Sequence, residues 1–141
     1  MLKLTHPVVD IAVICSHFEE SLHFYHEVLG LEIAADLNIP EHLATGLGLA
    51  PRGFRQVRVR AGKTLIKLIE IDSPPPRGSH DFTSGVRWLT FYIEDLKKTV
   101  EELKANGVKF AAEPLDGPDA PGIACALDPD GILIELLQRK A

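Results

Sequence analysis

Asp10-Ile-Ala-Val-Ile-Cys-Ser-His-Phe-Glu-Glu-Ser-Leu22 and Trp88-Leu-Thr-Phe-Tyr-Ile-Glu-Asp-Leu-Lys-Lys-Thr-Val100 share one plan: an apolar strand, a capping position, then an amphipathic helix. Each helix runs to a glycine, Gly30 or Gly107. The chain then continues as Leu31-Glu-Ile-Ala-Ala-Asp36 or Val108-Lys-Phe-Ala-Ala-Glu113. The ends correspond as well, Leu65-Ile-Lys-Leu-Ile-Glu70 against Leu133-Ile-Glu-Leu-Leu-Gln138. An internal repeat of this length predicts two similar supersecondary units sharing one core. Asp10 and Trp88 become counterparts, as do Lys67 and Glu135.

Working outward, the β-branched run 8–15 predicts a buried strand. Ser16 with Glu19 three residues on is a capping-box pattern, opening a helix over about 18–29 that Gly30 ends. Residues 31–35 predict a second strand. Segment 36–53 is rich in glycine and proline; Asn38 and Pro40 suit the start of a short helix near 40–45, and the rest suits a lid or binding loop. Two strands, 54–60 and 63–71, follow as a hairpin about Ala61-Gly62. The proline-rich stretch 72–80 links the modules. The second module predicts a strand at 86–93, Asp95 as cap, a helix at 96–106 and a strand at 108–112. A loop at 114–122 and a hairpin across Asp128-Pro-Asp-Gly131 complete it. The fold class is therefore α+β, with two tandem βαβββ modules, about 5–72 and 82–141, in a single domain.

The 141 residues, 45% hydrophobic and 25% charged, are ordinary for a globular domain. A net charge of -5 disfavours nucleic acid, whose phosphates need a basic face. No apolar run approaches the roughly 20 residues that span a bilayer, and no signal-peptide pattern opens the chain. Cys15 and Cys125 read as free thiols in strands, suited to a reducing cytoplasm.

Asp10–Gly30, Lys63–Ile71, Trp88–Gly107 and above all Asp128-Pro-Asp-Gly-Ile-Leu-Ile-Glu-Leu-Leu-Gln138 resemble the vicinal oxygen chelate superfamily of glyoxalases, bleomycin-resistance proteins and extradiol dioxygenases. The resemblance covers most of the chain. It implies a cupped, barrel-like mixed sheet with helices outside and the site inside, and a homodimer. It also implies four metal-ligand positions, which here hold Asp10, Lys67, Trp88 and Glu135. Lys67 and Trp88 carry hydrogen-bond donors and no usable lone pair. No cofactor is expected, and a divalent metal is disfavoured.

In place of a metal, Lys67 between Asp10 and Glu135 suggests a compensated charge network, with these three as candidate catalytic residues. A two-residue turn at Ala61-Gly62 would set Arg60 opposite Lys63, Arg58 opposite Leu65 and Gln56 opposite Lys67. Alternation then places Gln56, Arg58, Arg60 and Lys67 on one face, and Val57, Val59, Ile66 and Leu68 on the other. Gln56, Arg58, Trp88, Thr90 and Tyr92 are the candidate ligand-binding residues, with Ala12, Ala124 and Ala126 leaving room. The ordinary reading of each is that the arginines are solvated, the lysine a strut and the aromatic rings core. His23 and His26 lie on an outer helix and His17 near a cap. His42 and His80 lie in segments long enough to reach a site.

Three functions follow. The first is a metal-independent protein binding a small anionic or carbonyl-bearing molecule, with lyase or isomerase chemistry in which Lys67 stabilises an enolate and Asp10 or Glu135 is the base. The second is a ligand-sequestering protein of the resistance type. The third is a divalent-metal lyase, epimerase or dioxygenase with non-standard ligands.

Overall fold

Successive side chains of a strand point to opposite faces, and that alternation decides what each face of the sheets carries. The computed structural model describes residues 1–79 and 81–139. His80 lies outside the described residues. Two compact units divide the chain, Met1–Pro76 and Arg77–Ala141.

In the first unit, β1 (Ile11–Ile14) leads into α1 (Phe18–Leu22), which continues as a π-helical stretch His23–Val28. Then come β2 (Glu32–Ile39), α2 (Glu41–Gly46), β3 (Phe54–Ala61) and β4 (Thr64–Glu70). The sheet order is β1-β4-β3-β2, with β1 parallel to β4 and the other pairs antiparallel. Val13, Val57, Val59, Ile66 and Leu68 share one face and are at most 3% exposed. The α1 segment packs against β4, with Phe18, Phe24 and Tyr25 buried on the helix.

Four local expectations for this unit are corrected. His17, not Ser16, is the N-cap of α1, and it makes no side-chain cap bond. Ser16 lies one residue before the cap position, with its hydroxyl 3.1 Å from His17 Nδ1. Strand β2 runs on through Asn38, leaving Pro40 as the residue before α2. The hairpin turn falls on Gly62-Lys63, since Ala61 pairs with Thr64. A turn centred one residue earlier would force Ala61 to positive φ; here Gly62 takes it, at 62°. The pairing therefore moves by two residues, which preserves the predicted faces and sets Arg58 opposite Lys67.

In the second unit, β5 (Trp88–Ile93), α3 (Leu96–Ala105), β6 (Gly122–Leu127) and β7 (Leu133–Gln138) form a sheet of order β5-β7-β6. Here β5 is parallel to β7, and β6 antiparallel to it. Asp95 caps α3 by accepting the Lys98 N–H at 3.0 Å. Leu96, Val100 and Leu103 face inward, and Gly107, at φ 82°, follows the helix end. Asp128 Oδ1 accepts the N–H groups of Asp130 and Ile132 at 2.9 and 2.8 Å, which closes the hairpin turn.

The strand expected at 108–112 does not form. Only isolated bridges, Phe110 to Ala126 and Leu115 to Ile123, tie this segment to β6. Between them the pairing slips by two residues, and Pro114 has no N–H for the ladder. The α+β class and the mixed sheets are otherwise as the sequence predicts.

Candidate functional site

The open face of the first sheet carries Ala12, Gln56, Arg58 and Lys67. Ala12 and Arg58 are the direct strand partners of Lys67 on β1 and β3. Gln56 is 7% exposed, and its Oε1 accepts a hydrogen bond from Arg58 Nε at 2.7 Å. Arginine has donors only, so the amide must turn its oxygen to Arg58 and leave its NH2 as a donor. Arg60 lies on the same face and is exposed.

Beside this row is a cavity of about 450 Å³, into which Gln56, Lys67 and Ser73 bring the polar atoms. Ile14 and Ile69 line it from the sheet, and Leu49 to Pro51 from the loop after α2. Segment 36–53 thus supplies a wall, anchored by packing of Ile39, Ala44 and Ala50 with Phe54 and Ile69.

Asp10 is exposed, and its Oδ1 accepts the Leu65 N–H at 2.9 Å. No ion pair joins Asp10 to Lys67 among the described residues. The carboxylate ties the start of β1 to β4 instead of serving as a counter-charge.

The open face of the second sheet carries Trp88, Thr90, Tyr92 and Glu135. Thr90 donates to Glu135 Oε1 at 2.7 Å, across the parallel pair β5–β7. Trp88 and Tyr92 are 50% and 59% exposed, and the Arg139 guanidinium lies 4.3 Å from the Tyr92 ring centre. Cys125 is the direct partner of Glu135 on β6. Burial, and then the Glu135 charge, push its thiol above the ordinary range. Ala124 and Ala126, expected on this face, point the other way and are buried. The loop 128–132 sets that parity, and composition carries no signal of it. Cys125 is accordingly a site-face residue that sequence reasoning missed, as are Ile14 and Leu49. Only Ile14 could have been found, since alternation from Ala12 leads to it.

At the four positions where the resemblance puts metal ligands, the donor set does not fit a conventional centre. Lys67 and Trp88 offer donors alone. The carboxylates of Asp10 and Glu135 already accept bonds from Leu65 and Thr90. Among the described residues, no three His, Cys, Asp or Glu side chains are grouped as a metal would need. His26 Nδ1 lies 2.7 Å from the Leu31 carbonyl, and His23, His17 and His42 are exposed. His42 does not line the cavity.

Residues 6–136 match the sequence pattern of the Glyoxalase/Bleomycin resistance protein/Dioxygenase superfamily. The chain is 28% identical over 139 residues to the uncharacterized protein YwkD of Bacillus subtilis (strain 168), covering 99% of each. It is 32% identical over 126 residues to a probable chloroplastic lactoylglutathione lyase of Arabidopsis thaliana. That match covers 86% of this chain and 32% of the plant protein, so the chain spans about a third of that relative. Among solved structures it is similar to TnmS3, an antibiotic binding protein from Streptomyces sp. CB03234. The TM-score is 0.68 at 25% identity, covering 98% of this chain and 100% of that one. With the repeat, the mixed sheets and a pattern match over nearly its whole length, this chain belongs to the Glyoxalase/Bleomycin resistance protein/Dioxygenase superfamily.

Proposed function

We propose that the chain binds a small anionic, oxygen-bearing molecule on the Gln56–Arg58–Lys67 row, without a conventional metal centre. One observation carries this reading: Arg58 and Lys67 are direct cross-strand partners, with Gln56 bonded to Arg58. Like charges set opposite one another destabilise a sheet, and an anion between them removes that cost. Where the ligand carries an acidic C–H beside a carbonyl, the Lys67 ammonium stabilises enolate charge. Asp10, just before the strand that pairs with Lys67's own, is then the candidate base, and the reaction is of lyase or isomerase type. The molecule works as one domain of two modules, as a homodimer, in a reducing cytoplasm that suits its free thiols.

The test is a thermal-shift screen of small carboxylates, phosphates and their neutral analogues, with metal analysis of the purified protein. Anions should raise the melting temperature by binding the native state. Arg58→Ala should weaken them roughly ten- to a hundredfold, the worth of a charge-assisted hydrogen bond. Stoichiometric zinc, nickel, iron or manganese held through Asp10 or Glu135 would overturn the metal-free part.

A second reading, ligand sequestration, is favoured by the half-exposed Trp88 ring and by the likeness to an antibiotic binding protein. Neutral aromatics that bind while every anion fails would establish it.

A further inference from the structure

We infer that the ligand of the first unit's site is an amphiphilic monoanion, a carboxylate-type head on a hydrocarbon or aromatic body. This rests on the anion-binding reading above and adds the shape and charge of what is bound. The polar end of the cavity decides the head. Lys67 is the one charged residue lining it among the described residues, and Gln56 presents its NH2 because Arg58 holds the amide oxygen. Both groups donate, so the head must accept. An ammonium would meet an ammonium, and an alcohol would forgo the charge-assisted contact.

The remaining walls decide the body. Ile14 and Leu49 line the cavity yet stay 53% and 56% exposed, while Ile69 and Phe54 behind them are buried. A wholly polar anion would lose water from its own polar groups against this apolar wall with no partner there to replace it. A hydrocarbon body instead takes both side chains out of water, which is the source of affinity in mostly apolar pockets with a few fixed polar groups. Ser73, at φ 55°, lines the same cavity where the chain leaves β4 for Pro74 to Pro76. That left-handed conformation is unusual for a serine. Serine carries a hydroxyl that can donate as well as accept, so this lining residue suits an accepting head.

The experiment is calorimetric titration of the full chain with straight-chain carboxylates from acetate to octanoate, and with octylamine and octanol. Affinity should rise about fourfold per methylene, the gain for taking each fully out of water, and octylamine should fail. Leu49→Asn, at a side chain that is 56% exposed and with no charge added to repel either ligand, should cost octanoate roughly tenfold and cost acetate much less. Acetate and octanoate binding equally well, both lost in Lys67→Met, would overturn the amphiphile while leaving the anion reading standing. Octanoate unaffected by Leu49→Asn would also overturn it, because the body would lie elsewhere. Octylamine or octanol binding as well as octanoate, or no carboxylate binding at millimolar concentration, would overturn the anion reading and the amphiphile together.

Discussion

Arg58 on β3 and Lys67 on β4 are direct partners in an antiparallel ladder, two cations side by side on one face of a sheet whose opposite face is the core. Directly opposed residues have their Cβ atoms about 5 Å apart, close enough for like charges to cost stability. Lys67→Met should therefore leave the melting temperature unchanged or raise it, by no more than about 1 kcal/mol of stability, while abolishing anion binding. Calorimetric melting and ligand titration of the same variant check both halves. A variant that melts markedly lower would show that Lys67 neutralises a carboxylate instead of opposing Arg58.

Asp10 separates a structural from a chemical role. Its Oδ1 holds the Leu65 N–H, and an asparagine keeps a carbonyl oxygen for that bond. Asp10→Asn should melt like the parent, whereas Asp10→Ala should lose about 0.5–1.5 kcal/mol. If Asp10 is the base, turnover of an acidic C–H substrate vanishes in both variants. Turnover surviving in Asp10→Asn would remove Asp10 from that role.

What could be read from the sequence was local chemistry. Asp95 lies next to the N–H it caps, Gly107 follows its helix end, and the Asp128 turn is closed by its own carboxylate. The faces of β3 and β4 were legible even though the turn was misplaced, because a slip of two residues preserves side-chain parity. Parity across a longer loop is not encoded so simply, so Cys125 and not its alanine neighbours shares a face with Glu135. The segment at 108–112 carries the apolar pattern of a strand, but Pro114 and a register slip reduce it to two bridges. The apolar cavity wall was illegible for another reason: glycine and proline in 36–53 announce a loop, not the direction in which Leu49 points.

The exposed pair Asp36–Arg55 predicts an acid-side loss of stability. Two hydrogen bonds from Arg55, at 3.0 and 2.9 Å, hold the Asp36 carboxyl below its usual range, aided by the opposite charge. A pKa lowered in the native state contributes stability above the unfolded carboxylate value, lost as the pH falls through the native one. Asp36→Asn should consequently be less stable than the parent at neutral pH, with the gap closing below the carboxylate range. Denaturant melts of both proteins across the acid range would show this. A gap that stays constant with pH would mean the asparagine disturbs packing and the ion pair contributes nothing.

Cys125 reports on whether Glu135 faces the open side of the second sheet. Its thiol is raised first by burial and second by the carboxylate opposite on β7, so the thiolate is scarce at mildly alkaline pH. Glu135→Gln removes the repulsion and keeps an acceptor for the Thr90 hydroxyl, which lies 2.7 Å from the carboxylate. The thiol should then titrate lower, though still above the ordinary range because burial remains. Iodoacetamide should label Cys125 faster in Glu135→Gln than in the parent at each pH through the thiol range, followed by intact mass. Cys15, at 1% exposure, should resist labelling in both and serves as the internal control for folding. The same shift has a stability consequence. A thiol raised in the native state costs nothing below its unfolded pKa, and stability declines as the pH climbs from there toward the native value. That decline should be shallower in Glu135→Gln. Identical labelling profiles in the two proteins would place Glu135 away from Cys125, and the carboxylate would then lose its place beside Thr90 among the candidate catalytic groups.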